Sequence, residues 1–282
     1  MILLLRLKQK IHPQMNKALS ILGLGWLGLP LAEAFLAKGL TVKGSTTSET
    51  KLAAIQSKGI TAFSITLSET AVKGEVKSFL KDSEVLIIDI PPGLRRDPSS
   101  DFVSKIQRLL PSIEASTIQH VLFISSTTVF EDESRFPVVT SQTVPNSVSE
   151  AGRQLALVEK LLQANDNFTT TILRFGGLIG GDRHPATMLS GRTNVQNPEA
   201  PVNLIEREDC IQLILRIVEN NAWGKVYNAA APNHPTKAEY YTAECLKREL
   251  PLPKYDYMSI SKGKIIDSKE IQKDLEYEIK CL

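Results

Sequence analysis

The run Gly23-Leu24-Gly25-Trp26-Leu27-Gly28 stands between a short apolar stretch and a helical pattern. Glycine at the first position permits a tight turn. At the second it lets backbone approach a bound group, and at the third it lets a helix pack closely on the preceding strand. A helix that starts there aims free N–H groups and the positive end of its dipole into the loop, an arrangement suited to a diphosphate. Gly23, Gly25, Trp26, Leu27 and Gly28 are therefore candidate dinucleotide-binding residues. Loops of this kind that select NAD have an Asp or Glu about 20 residues on, where it holds the ribose 2′-hydroxyl. Here that place reads Lys43-Gly44-Ser45-Thr46-Thr47-Ser48, with no acid. Ser45, Thr46 and Thr47, with Lys43 or Lys51, suit a 2′-phosphate, which favours NADP over NAD as the cofactor. The stretch from Thr46 to Glu49 also reads as the cap of the next helix, and both readings can hold.

Further along, Asp89-Ile90-Pro91-Pro92-Gly93 ends an apolar run. Strand ends on this edge border the cofactor crevice, where Pro91 and Pro92 stop the strand and stiffen the loop. Asp89 either touches a ribose or, as the simpler reading, satisfies backbone donors. Ser126 ends another apolar run and either bonds a substrate oxygen or satisfies backbone. Arg183, in a glycine-rich loop, offers a bidentate fork to a phosphate or carboxylate. His184 beside it has the right kind of side chain for proton transfer, although a single loop histidine reads first as a surface residue. Asn203 and Tyr227 are candidates for lining a substrate lobe, and His120 reads as structural. No G-x-S-x-G elbow, H-E-x-x-H pair or P-loop occurs, so hydrolase and NTPase readings have no support. Cys210, Cys245 and Cys281 are odd in number and widely spaced, which suggests neither a disulfide framework nor a metal site and makes a reducing cytoplasm the natural compartment.

These residues need a frame to hold them. Apolar, β-branched runs at 18–22, 41–43, 60–65, 84–90, 120–125 and 169–174 read as strands. Amphipathic stretches near 26–38, 49–58, 71–81, 101–117 and 150–164 read as helices between them. Near-continuous apolar runs such as VLIIDI and VLFIS suit strands covered on both faces, and the β-α alternation predicts a doubly wound parallel sheet, a Rossmann fold. Leu27, Leu31, Ala34, Phe35 and Lys38 form a helical core stripe, and Trp26 reads as packing against the sheet edge. Beyond Arg174, Gly and Pro crowd 176–201. A helix (207–219), a strand (225–229), a helix (236–249) and a short final helix (268–274) follow. The sequence thus divides into an N-terminal tail (1–16), with Met15 as an alternative start, a dinucleotide-binding domain (17–174) and a small C-terminal α/β substrate lobe (175–282).

Composition excludes several classes. The 282 residues carry 33 Lys or Arg and 31 Asp or Glu, a formal charge of +2, which argues against nucleic-acid binding through bulk electrostatics. With 42% hydrophobic and 23% charged residues the chain has the make-up of an ordinary globular protein. The apolar start, Met1 to Leu5, is far shorter than the ~20 residues a membrane span needs.

Taken in order, several segments resemble the extended short-chain dehydrogenase/reductase superfamily, in the atypical branch of the NAD-dependent epimerase/dehydratase group. Phe123-Ile124-Ser125-Ser126-Thr127-Thr128-Val129-Phe130 is similar to its "SSTxVY" segment, and 174–183 to its "R-x-x-x-x-Y-G-P-G-R" segment. Pro201-Val202-Asn203-Leu204-Ile205 with Asp209, Val226-Tyr227-Asn228, and Lys262-Gly263-Lys264 resemble its later landmarks. The resemblance puts Ser126 where the family keeps its catalytic Ser or Thr, and it implies a homodimer formed through two helices; Arg183 and Asn203 remain the candidates for substrate contact. It also implies a Tyr and a Lys four residues later on the helix after the fifth strand. Glu159-Lys160 matches that helix's "EK", and counting back puts Ala151 and Leu155 at the two positions. Neither moves a proton; Glu150 and Arg153 are the charged residues beside them. The glycine spacing, and Thr47 where the branch often has Arg, also depart from the pattern. Two functions follow. One is an NAD(P)-dependent oxidoreductase or epimerase/dehydratase acting on a small polar or nucleotide-sugar substrate with non-standard proton transfer. The other is an NAD(P)-binding sensor or regulatory protein without turnover. The "GLGxxG" spacing alone also fits a hydroxyacid dehydrogenase, against which the later landmarks count.

Overall fold

The computed structural model describes residues 18–282. The tail expected at 1–16, with the alternative start at Met15, lies outside the described residues. The strands are β1 (Ala18–Leu22), β2 (Val42–Thr46), β3 (Thr61–Leu67), β4 (Val72–Gly74), β5 (Ser83–Ile88), β6 (His120–Ser126), β7 (Val138–Val139), β8 (Thr169–Phe175), β9 (Gly177–Ile179), β10 (Leu204–Glu206), β11 (Val226–Ala229) and β12 (Ile265–Ile266). The helices are α1 (Gly28–Ala37), α2 (Leu52–Gln56), α3 (Val76–Leu80), α4 (Phe102–Glu114), α5 (Glu150–Gln163), α6 (Ala186–Leu189), α7 (Arg207–Glu219), α8 (Lys237–Lys247) and α9 (Lys269–Leu275).

Eight strands form one sheet in the order β11-β8-β6-β5-β1-β2-β3-β4, parallel throughout except for β4 at the edge. The chain winds outward from β1 to β3, returns to β5 on the other side of β1, and winds outward again. The order therefore reverses between β1 and β5, and a crevice opens there at the carboxyl ends of the strands, where ligands of doubly wound sheets bind. This is the Rossmann-type α/β fold that the alternation predicts.

The apolar strand runs explain the two-sided burial. In β5, Val85 and Ile87 enter the core on the α1 and α7 face, and Leu86 and Ile88 enter the core against α4 and α5. In β6, Leu122 goes to the first face and Val121 and Phe123 to the second. Successive side chains alternate faces, so only a run apolar at every position covers both. The C-terminal third feeds both the main sheet and a smaller cluster. It supplies β11 to the sheet and α7 to the face of α1, while Ile179, Ala186, Val202, Leu204, Tyr241 and Cys245 gather apart. Two short parallel pairs, β9 with β10 and β7 with β12, tie the loops over the sheet's carboxyl edge.

One expectation about the elements fails. The helix expected over 71–81 is instead the short antiparallel strand β4 followed by α3. Ser68 and Ala71 close the reversal with backbone and side-chain hydrogen bonds of 2.9–3.0 Å. Gly74 then has φ +106°, and a Cβ there would lie 2.0 Å from the Ser64 carbonyl oxygen. Such close approach to β3 requires glycine and breaks a helix. Among the described residues no helix is long and apolar enough to cross a membrane.

Candidate functional site

The loop after β1 is built by its glycines. Gly23 has φ +108°, and a Cβ on it would lie 2.3 Å from the Asp89 carbonyl oxygen. A Cβ on Gly28 would lie 2.1 Å from the Gly23 carbonyl oxygen. Gly25 by contrast faces open space. Two glycines therefore close the turn and the middle one leaves its outer surface bare. Ser45 pins the turn from β2: its hydroxyl accepts the Gly23 N–H at 3.0 Å and its carbonyl accepts the Leu24 N–H at 2.7 Å. Gly44 makes room for Leu24, since a Cβ there would sit 2.3 Å from the leucine side chain. Among the described residues no backbone carbonyl receives the N–H of Gly25, Trp26 or Leu27, and the first turn of α1 carries no acid. Unclaimed amides at a helix start, over an open surface, fit a dinucleotide diphosphate.

The end of β2 supplies hydroxyls. Thr46 accepts the Ser48 N–H at 3.2 Å, Ser48 and Thr50 share a hydrogen bond of 2.8 Å, and Thr47 is exposed. Lys43 turns elsewhere, its ammonium donating to the carbonyls of Ser78 and Lys81. Pro91 is exposed, and the Pro92 carbonyl accepts the Ser100 hydroxyl at 3.1 Å. Asp89 sits beneath the loop, its carboxyl 3.1 Å from where a Gly28 Cβ would be. Burial pushes its pKa up to about 8, and the facing Gly28 amide pulls the other way.

A second feature lies at the end of β6. A cleft of about 220 Å³ is lined by Thr127, Thr128, Phe130, Glu131, Asp132, Ser147, Ser149 and Lys264. Ser126 stands at its edge, sharing a hydrogen bond of 2.9 Å with Thr128 and accepting the Thr128 N–H. Lys264 reaches in from the C-terminal segment, bonding the Phe130 carbonyl at 2.8 Å and Asp132 at 2.7 Å. Ser149 caps α5 by accepting the Gly152 N–H, and a Cβ on Gly152 would lie 2.4 Å from the Thr128 carbonyl oxygen, so the helix starts hard against the cleft. Ala151 lies in that first turn, and Leu155 is buried in the core against β6 and α4. Below the cleft, Arg174 and Glu159 form a bidentate pair with contacts of 2.6–3.2 Å, both nearly inaccessible, with the Ser125 hydroxyl donating to the same carboxylate at 2.6 Å. The guanidinium also lies 5.1 Å from the Phe130 ring, beneath the cleft wall.

Asn203 is fully engaged with backbone. Its amide nitrogen donates to the carbonyls of Pro201 and Lys264, and its oxygen accepts the Ile266 N–H at 2.9 Å. It thereby fixes the strand that presents Lys264. Tyr227 is buried, and its hydroxyl donates to Asp274 at 3.1 Å. His184 is not the surface residue expected: it is buried, accepts the Ala186 N–H, stacks on Tyr240 and has Nε2 3.1 Å from the Tyr240 hydroxyl. The Ala186 N–H bond to His184 Nδ1, 3.1 Å long, ties the ring to the start of α6. His120 stacks on Trp223 with ring centroids 4.6 Å apart, as a structural residue would.

Trp26, expected to pack against the sheet edge, packs on the core cluster that includes α1 and also carries two cations. The guanidinium carbon of Arg183 lies 5.2 Å, and that of Arg207 4.8 Å, from its ring centroid. Arg207 and Lys264 are the site residues that the sequence did not single out as such. Each is separated from the glycine loop or from Ser126 by more than a hundred residues, and the one available signal was a basic residue next to a landmark segment. Among the described residues no three His, Cys, Asp or Glu side chains converge on a metal position.

The reversal point of the sheet, the pinned glycine loop and the hydroxyl-lined cleft together define a protein of the Rossmann-type α/β fold. No family model matches the chain. It is 33% identical over 265 residues to Protein YeeZ of Escherichia coli strain K12, covering 93% of this chain and 95% of that one, and it belongs to the YeeZ family. Its fold is shared by a short-chain dehydrogenase/reductase superfamily protein from Agrobacterium tumefaciens with bound NAD (TM-score 0.73, 16% identity, 94% and 93% of the two chains). It is shared equally by UDP-N-acetylglucosamine 4-epimerase from Bacillus cereus (TM-score 0.73, 15% identity, 93% and 91%).

Proposed function

We propose that the chain binds a nicotinamide dinucleotide across the carboxyl ends of β1, β2 and β5, NADP in preference to NAD, and acts on a small polar substrate of the nucleotide-sugar class. The carrying observation is the loop in which Gly23 and Gly28 close the turn, Ser45 pins it and the amides from Gly25 to Leu27 stay unclaimed. The bound dinucleotide would supply a hydride acceptor or donor. The chain's own residues do the rest. Thr46 and Thr47, with no acid among them, accommodate a ribose phosphate. Lys43 is committed to α3, so Lys51 is the cation left for that phosphate. Ser126, Thr128, Ser147 and Ser149 offer hydrogen bonds to sugar-like hydroxyls, and Lys264 offers a cation at the cleft wall. The structural likeness to a UDP-N-acetylglucosamine 4-epimerase and to a short-chain dehydrogenase/reductase superfamily protein with bound NAD supports a nicotinamide dinucleotide and a sugar-like substrate; the NADP preference rests on the missing acid after β2.

A second reading is favoured by one observation: α5, which starts against the cleft, carries Ala151 in its first turn and Leu155 in the core, not a proton-carrying pair. On that reading the chain binds the dinucleotide without turnover, as a sensor or regulatory partner. Fluorescence titration with NADPH and NADH, followed by an absorbance screen with carbonyl compounds and nucleotide sugars, separates the two. Binding with turnover supports the enzyme; binding without turnover across the panel supports the sensor. No binding removes both.

A further inference from the structure

Arg183 and Arg207 come from different parts of the C-terminal segment and meet at one indole of the glycine loop. Their two charges are therefore no farther apart than the sum of two short stacking distances. Yet among the described residues neither guanidinium has a carboxylate within ion-pair distance. The cluster is also built rather than accidental. Arg183 sits on a turn closed by reciprocal backbone hydrogen bonds to Gly180 of 3.0 and 3.1 Å. Gly181 in that turn leaves room for Arg207, since a Cβ there would lie 3.0 Å from the guanidinium nitrogen. Two guanidiniums held on one ring, without carboxylate partners and with ten N–H donors between them, offer two forks to an anion placed beside them. The indole that carries them belongs to the same loop whose amides are unclaimed.

We propose that Arg183 and Arg207, carried on Trp26, supply a second set of contacts to the dinucleotide diphosphate that the glycine-loop amides hold. The inference rests on the reading that a dinucleotide lies over this loop. It makes affinity depend on the C-terminal segment as well as on the sheet, because a doubly charged diphosphate suits two bidentate forks. It also gives Trp26 a part in binding: the indole holds both forks in place through cation–π contact.

The test is NADPH affinity, measured by fluorescence titration at several salt concentrations, for the parent, R183M, R207M and the double variant. Methionine keeps an apolar stem against the indole and removes the charge. Each single variant is expected to lose about tenfold in affinity and the double variant more. The parent's affinity should fall with added salt more steeply than that of the double variant. Melting temperatures without ligand should stay close to the parent's. If a methionine variant melts early, R183K and R207K decide: with the charge kept, the steep salt dependence should remain, and a flat one overturns the proposal. Methionine variants that bind NADPH as tightly as the parent, with the same salt dependence, overturn the clamp and leave the dinucleotide reading standing. A parent that binds neither dinucleotide overturns both.

Discussion

A methyl group is the sharpest probe of the loop. In G28A the added carbon would lie 2.1 Å from the Gly23 carbonyl oxygen, a contact that only backbone movement relieves. The turn must open, and the variant should lose at least about tenfold in dinucleotide affinity while melting below the parent, effects read by titration and by calorimetry. G25A at the open position, where nothing lies within 4 Å, should leave the melting temperature nearly unchanged. Asp89 gives a pH prediction. Its native pKa of about 8 exceeds the ordinary carboxylate value, so between about pH 4 and pH 8 the folded chain holds a proton that the unfolded chain has released. Stability from this group is full at low pH and is lost as pH rises through about 8. Urea midpoints of D89N followed against pH should lack this decline, and a parent curve parallel to that of D89N would remove the assignment. Since the carboxyl lies beneath the glycine loop, on the proposed reading its ionisation should also weaken dinucleotide binding in the parent and not in D89N.

Between elements, the main polar tie under the cleft is the Arg174–Glu159 pair, which joins β8 to α5 with the Ser125 hydroxyl of β6 as a third member. Both side chains are almost wholly inaccessible, so removing one partner strands a buried charge. E159A should cost about 3–5 kcal/mol in chemical denaturation, and the double variant E159A/R174M should recover much of that loss. The coupling between the two substitutions is the quantity to measure, because additive losses would mean that the charges act independently. A helix cap supplies a smaller effect. Asp101 accepts the Ser104 N–H at 2.9 Å at the start of α4, and its hydrogen bonds with Ser104 hold its carboxyl below the usual range. D101A should lose about 1 kcal/mol above pH 5, and the difference from the parent should shrink as the carboxyl protonates in acid.

For the molecule as a whole, ligand binding is read most simply as stability. A dinucleotide at about a hundred times its Kd adds about 2.7 kcal/mol to unfolding, which should raise the melting temperature by several degrees. No shift with either NADPH or NADH at millimolar concentration would count against the whole functional reading. The sheet's order made the location of this site legible in advance. Near-continuous apolar runs announced β5 and β6 because both faces of those strands are covered, and the Gly23–Gly28 spacing marked the crevice because only glycines permit that turn. The strand β4 was not legible: three residues pairing with β3 across a reversal leave no period, and their amphipathic texture continued into α3.

What the chain determines by itself is local: the strand runs, the helix stripes, the glycine turn, and the lack of an acid after β2. These follow from backbone sterics and from the periods of helix and strand, which act over a few residues. Tertiary structure alone decided that Arg183 and Arg207 share one indole, that Lys264 enters the cleft beside Ser126, that His184 is buried, and that Asp89 lies under the glycine loop. Each joins segments far apart in the chain, and the charge, burial and proton affinity of such groups are set by what folding packs against them rather than by their neighbours in sequence.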